Sequence, residues 1–252
     1  MKKLIVVLTV MGLLAVPVLA DYDAGTASIT RQSKYWSGTG GEFTLYNSIL
    51  DTSYYSPLAK NVPLTNLVVP VTAGTSSFQT FCVETDEYVM PPYTGNVVVS
   101  TTDVDVNGEV IGPGSHAVLG GRNTNAGDNL SSKTAFLYTM FATGKLSGYD
   151  YTPGVERRSS SAGLLQTAIW YFEDEVTLAN PESNIFVKMA NDAVATGGDW
   201  EDMGIGSVRI LNLSKLTGAV AQDQLYYVPA PAAIGLGLLG LAIVGRYMRR
   251  YA

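Results

Sequence analysis

The sequence predicts an α+β protein, with a β-rich sandwich or barrel part and a small helical lobe, flanked by a signal peptide and a short apolar C-terminal helix. Three observations predict it. The first half of the central stretch is rich in Val, Thr, Tyr and Phe punctuated by Pro, Gly and Ser, and the second half carries apolar residues at helical spacing. Both ends are apolar runs with basic residues beside them. A chain of 252 residues with one Cys, 46% hydrophobic and 15% charged, is neither a disulfide scaffold nor a disordered tail. Residues 21–228 hold 11 basic and 22 acidic residues, a net charge of -11 that repels phosphate backbones and argues against nucleic-acid binding.

In chain order, residues 1–20 form the signal peptide: Lys2 and Lys3 open it, Leu4 to Leu14 is apolar, and Pro17 precedes a small-residue cut after Ala20. An uncleaved N-terminal anchor is the plainer alternative, although the apolar run is short for a span. Within the body, 21–228, strands are expected over Glu42 to Leu50, Leu67 to Val71, Phe78 to Glu84 and Asn96 to Val106, with a hairpin turn at Asn107-Gly108. A helix capped by Ser131 or Ser132 runs to Gly144, its buried side marked by Ala135, Phe136, Tyr138, Thr139 and Phe141. A second starts near Ser159 to Ser161 and runs through Phe172 into Glu173-Asp174-Glu175, acids that oppose the helix dipole there. A third covers Glu182 to Ala195, before strands at Ser207 to Leu213 and Gln224 to Val228.

The tail, 229–252, contains a helix of fourteen residues, Ala232 to Gly245, about 21 Å long and short of a hydrocarbon core of about 30 Å. Pro229 and Pro231 keep the helix from starting earlier. It can insert transiently, with Arg246, Arg249 and Arg250 at the cytoplasmic interface. Gly235 to Gly240 spells the dinucleotide-binding glycine pattern, but no strand precedes it and no βαβ unit fits behind it. Val228-Pro229-Ala230-Pro231, the short apolar helix and the arginine cluster resemble the PEP-CTERM sorting signal, with Ala230 where Glu is usual. The resemblance implies export through the inner membrane, passage through the periplasm, handling of the tail by an exosortase, and a final place on the cell surface or in the extracellular matrix of a biofilm.

Two residues of the body are chemically odd. Cys82 is the lone cysteine of a chain expected in an oxidising compartment, and its bland reading is a small inert core thiol. Gln166 shares a helical stripe with Ala162, Ile169 and Trp170, where an amide must find partners or cost stability. One explanation covers both: the Cys82 sulfur is acylated by the Gln166 side-chain carbonyl, releasing ammonia and leaving a neutral thioester. Phe81-Cys82-Val83-Glu84 and Gln166-Thr167-Ala168-Ile169-Trp170 resemble the two motifs of the thioester domains of bacterial surface adhesins, with Leu165 where Thr often precedes the Gln. That resemblance, within 78–173, implies a bond at the junction of a β-rich part and a helical lobe, and covalent attachment to amine-bearing surface molecules. Phe81, Trp170 and Tyr171 are candidates for keeping water from it.

The function expected is that of a covalently attaching or matrix-cohesive surface protein. It is not an enzyme, self-modifying acyl transfer at most, with no cofactor, no metal, and exopolysaccharide or amine-bearing molecules as partners. The alternative is a non-covalent polysaccharide-binding or structural matrix protein with Cys82 as a buried free thiol. His116, the only histidine, reads better as a solvated turn residue than as the base of the reaction. Asp103, Asp105, Asn107 and Gly108 fit half a calcium loop, but Gly114 stands where its closing Glu belongs, and a hairpin turn explains them equally. Tyr22, Tyr35, Trp36, Tyr46, Tyr54, Tyr55, Tyr149 and Tyr151 suggest, by composition alone, a sugar-stacking surface.

Overall fold

A computed structural model describes residues 20–38, 40–60, 77–85, 87, 89–119 and 127–228. The signal peptide before Ala20, the strand expected at Leu67 to Val71, and the tail from Pro229 on, with Pro231, Arg246, Arg249 and Arg250, lie outside them.

The first described strand, β1 (Tyr22–Thr30), was not among the expected elements. Small and polar residues make it, yet it lies inside the sheet and buries Ala24, Ala27 and Ile29. After it, β2 (Trp36–Ser37) and β3 (Gly40–Gly41) form a short hairpin. The strands β4 (Phe43–Asn47) and β5 (Ser77–Thr80) follow. The single strand expected over Asn96 to Val106 divides into β6 (Tyr93–Val99) and β7 (Thr102–Val104). The chain leaves the sheet at Ser100-Thr101, where Asp21 Oδ1 accepts from the Thr101 N–H at 2.7 Å. The expected turn joins β7 to β8 (Val110–Pro113), with Gly108 at φ 78. Two short strands, β9 (His116–Ala117) and β10 (Asp128–Asn129), pair with each other.

Three helices make the other lobe. Ser131 caps α1 (Ser132–Ala142) by accepting from the Thr134 N–H. Apolar residues on almost every side of this helix are buried, because it lies between sheet and helices. The helix α2 (Glu156–Phe172) starts three residues before Ser159, the first of the serines near which its start was expected. The hydroxyls of Ser159, Ser160 and Ser161 bond back to the carbonyls of Glu156 and Arg157, so they serve within the helix rather than at its head. A 3₁₀ turn at Pro181–Ser183 delays α3 (Ile185–Val194), which Asn184 caps. The hairpin of β11 (Val208–Lys215) and β12 (Val220–Tyr227) ends the described chain.

Six strands form one antiparallel sheet in the order β12-β11-β6-β1-β4-β5, curled into a half-barrel. In β6 the burial alternates, Val97 and Val99 facing the core, as the two-residue strand period requires. The two edges of the sheet meet just beyond β5. Leu225 N–H donates to Phe81 O at 3.0 Å, Val83 N–H donates to Asp223 O at 3.2 Å, and Cys82 bridges Gln224. Cys82 therefore sits at the seam. The helices cover this region: Phe141 of α1 meets Phe81 edge to face at 5.0 Å, and Tyr138 donates to Gln79 O at 3.0 Å. The β-rich α+β architecture with a small helical lobe is thus present in the described residues.

Candidate functional site

The seam brings Cys82 against α2. Its Sγ donates to Gln166 Oε1 at 3.3 Å, Gln166 Nε2 donates to the Cys82 carbonyl at 2.7 Å, and both residues are 0% exposed. The amide of Gln166 is satisfied on both sides, which answers the cost of burying it. In this structure Cys82 carries a free thiol.

A cover lies over the pair. The Gly41 N–H donates to Gln166 Oε1 at 3.4 Å, and it is the backbone donor that an oxyanion on the Gln166 carbonyl would meet. Gly40 approaches so closely that a Cβ there would collide with Gln166 Cγ and, at 2.7 Å, with the Trp170 ring. Neither glycine was singled out in the sequence. A buried ion pair holds this hairpin on α2: Arg158 donates to both carboxylate oxygens of Glu42, at 2.7 and 2.8 Å, and Tyr149 adds a hydroxyl at 2.5 Å. The Arg158 guanidinium also bonds the Tyr151 carbonyl and lies 4.0 Å over the Tyr35 ring.

The C-terminal end of α2 is fastened to the cysteine strand. Trp170 Nε1 donates to Glu84 O at 3.1 Å, and Glu175 Oε2 accepts from the Thr85 N–H and hydroxyl at 2.8 and 2.7 Å. Glu173 reaches the head of α1 and accepts from the Ser131 hydroxyl at 2.7 Å. Two of the three acids that oppose the dipole of α2 are therefore held by partners on other elements. Of the aromatic candidates, Trp170 packs against the cover. Phe81, on the neighbouring position of the strand, turns to Phe141, while Tyr171 meets Phe172 at 5.3 Å beside a cleft lined by Ser131 and Lys133.

Burial pushes the Cys82 thiol up to about 12, with the nearby Arg31 charge pulling it back. A thiolate is thus disfavoured at rest, and the sulfur proton has to leave as the sulfur attacks. The balance needs no outside base: when Cys82 Sγ bonds to the Gln166 side-chain carbonyl carbon, the C–N bond breaks and the thiol proton leaves with the nitrogen as ammonia.

His116 is elsewhere. Its Nδ1 lies 2.7 Å from Thr102 O and 3.1 Å from Ser100 Oγ, which makes it a half-buried strand residue rather than the solvated turn residue expected. The calcium half-loop is a turn: Asp105 Oδ1 accepts from the N–H groups of Asn107 and Glu109, and Asp103 Oδ1 accepts from Ser115. Among the described residues, the one carboxylate group that could hold a metal is Glu84, Glu87 and Asp223, whose ligand atoms lie within 4.8 Å of one another. Both Asp223 oxygens already accept backbone N–H groups, from Leu213 and Val118, and Asp223 N–H donates to Glu84 Oε2. Burial raises Glu84 and Asp223 far above the usual carboxylate range, which favours their protonated forms, against the pull of the backbone N–H groups on Asp223. Of the proposed sugar-stacking residues, Tyr35, Tyr55 and Tyr149 are core, whereas Tyr22, Trp36 and Tyr54 are exposed.

Fold and site together define an α+β protein with a buried Cys-Gln pair at the closing seam of its sheet. No protein-family model, no curated protein and no solved structure matches this chain. No helix among the described residues is long and apolar enough to cross a membrane.

Proposed function

We propose that this is an exported surface or matrix protein that attaches covalently to amine-bearing partners through a Cys82–Gln166 thioester, after sorting of its tail by an exosortase. One observation carries the reading of the body: a lone thiol and a glutamine carbonyl 3.3 Å apart, both fully buried under a glycine hairpin. Such a pair suits acyl transfer because water is excluded while one backbone donor stands at the carbonyl oxygen. An arriving amine bonds to the Gln166 carbonyl carbon, the C–S bond breaks, and the amine proton ends on the Cys82 sulfur. The product is an amide that hydrolyses far more slowly than the thioester. Export, passage through the periplasm and a final place at the cell surface rest on the PEP-CTERM-like tail, Val228, Pro229, Pro231, Arg246, Arg249 and Arg250.

A second reading has its own support. Every polar atom of Gln166 is satisfied without a covalent bond, as a non-covalent matrix or polysaccharide-binding protein with a buried thiol would need. Intact mass of the natively secreted protein, taken under non-reducing and mildly acidic conditions before and after methylamine, separates the two. The thioester reading expects a mass one ammonia below the sequence value and one methylamine taken up on Gln166. Cys82→Ala is expected to stay folded and take up none. The full sequence mass with a titratable thiol would replace covalent attachment by the binding reading.

A further inference from the structure

We infer that the hairpin of β2 and β3 is the gate of the reaction: its two short strands swing off α2 to admit the amine and return before the amide forms. This rests on the acyl-transfer reading above. Cys82 and Gln166 are both 0% exposed, so an amine reaches the Gln166 carbonyl only after something moves. The two elements that carry the pair are fixed elsewhere. Cys82 is held in the seam by the backbone bonds of Phe81 and Val83 to the far edge of the sheet, and Gln166 lies inside the seventeen-residue α2.

The hairpin is attached differently. β2 and β3 pair with each other and with no other strand among the described residues. Their base is anchored: the Glu42 N–H donates to Tyr35 O at 2.9 Å, and Arg158 holds both residues, bonding the Glu42 carboxylate and lying over the Tyr35 ring. Beyond the base the ties are slighter. The Gly41 N–H reaches Gln166 Oε1 at 3.4 Å, Gly40 rests on the Gln166 and Trp170 side chains, and the Trp36 ring centre lies 5.0 Å from the Arg31 guanidinium carbon. Trp36 and Ser37 are exposed. Base and arm meet at Gly41, whose φ of 116 is a conformation that glycine alone adopts readily, so the chain can bend there.

Opening at this hinge lifts Gly40 from Gln166 and uncovers the carbonyl carbon on the side that the hairpin shields. It also takes the Gly41 donor away from Oε1. An amine that has entered therefore reacts fastest once the hairpin is back and the Gly41 N–H again meets the developing oxyanion. One segment thus keeps water out, lets the amine in and steadies the charge. The kinetics follow from this: uptake rises with amine at low concentration and levels at a ceiling set by the hairpin rather than by the amine.

The test locks the hairpin onto the helix. A Cβ on Gly163 would lie 3.0 Å from Ser37 Cβ, a small adjustment from the spacing of about 3.5–4.5 Å in a disulfide. The natively secreted full chain carrying Ser37→Cys with Gly163→Cys is given methylamine, and uptake is timed by intact mass. Uptake is expected to be at least about tenfold slower while the two are bridged than after reduction by a phosphine. In the wild type the rate is expected to level at one ceiling for methylamine and ethylamine, and this measurement decides alone if the double variant fails to fold or to bridge. Equal uptake by the bridged and the reduced variant, or wild-type rates with no ceiling common to the two amines, would overturn the gate and leave acyl transfer standing. No uptake by the wild type would overturn both.

Discussion

Gly40 shows how tightly the site is built at the scale of single residues. Its missing side chain is what lets the hairpin close on Gln166 and Trp170. Gly40→Ala is expected to lift that cover, lowering stability by about 1–3 kcal/mol, the usual cost of overpacking a filled site. It is also expected to raise the fraction of chains hydrolysed at Gln166, since water gains access. Urea unfolding and intact mass check the two effects, and an unchanged product mixture would remove the hairpin from the shielding role. Cys82 and Gln166 were legible in the sequence because each is chemically out of place, a lone thiol and an amide on an apolar stripe. Gly40 and Gly41 were not, because a glycine pair reads as any turn, and Gly41 lies 125 residues from the glutamine it serves. For Phe81 and Tyr171 the aromatic type was visible and the direction of the ring was not.

Elements bring these residues together through buried charge. The hairpin of β2 and β3 leads directly into Glu42, and α2 carries Arg158 two turns before Gln166, so the Glu42–Arg158 pair sets where the hairpin sits on the helix. Burial raises Glu42 while Arg158 and Tyr149 hold it down. Arg158→Gln leaves that carboxylate buried with too few donors, and the expected loss is about 3–5 kcal/mol. Glu42→Gln added to it is expected to recover part of the loss, so the two changes are less than additive in a denaturant-unfolding cycle; strict additivity would mean that the pair is not coupled. The helices were legible from their apolar spacing, with starts displaced wherever a serine or proline had a second use. The strand β1 was not legible. Its residues Tyr22 to Thr30 lack the Val and Ile runs that mark a strand, and its register shifts between Asp23 and Thr26, around Gly25 at φ 74. Its neighbours β6 and β4 supply the order that its own composition does not.

Closure of the sheet buries acids as well as the thiol, and this gives the whole molecule a pH dependence. The meeting of Phe81 to Val83 with Asp223 to Leu225 joins segments about 140 residues apart, a pairing that no local pattern announces. It encloses Glu84 and Asp223, while the fastening of α2 to α1 encloses Glu173. All three are raised by burial, Glu173 from 4.5 to about 7 against the pull of its bonds from Thr134 and Ser131. An acid raised on folding binds its proton more tightly in the folded chain than in the unfolded one. Its stabilisation is fully present below its unfolded value and is lost as pH rises through its folded value. For Glu173 that window runs from about pH 4.5 to about pH 7, with a loss of up to about 3 kcal/mol. The carboxylates of Asp105, Asp150 and Glu156, lowered by their partners, act in the opposite direction at more acid pH, while Glu42, Glu84 and Asp223, raised by burial, act in the same direction across this window, so it is the difference between wild type and a Glu173 variant that reports Glu173. Tm is therefore expected to fall across the window in the wild type. In Glu173→Gln the slope is expected to flatten, the amide oxygen still accepting from Ser131. A wild-type Tm that climbs from pH 4.5 to 7, or a slope unchanged in the variant, would mean that Glu173 is not held protonated beneath the two helices.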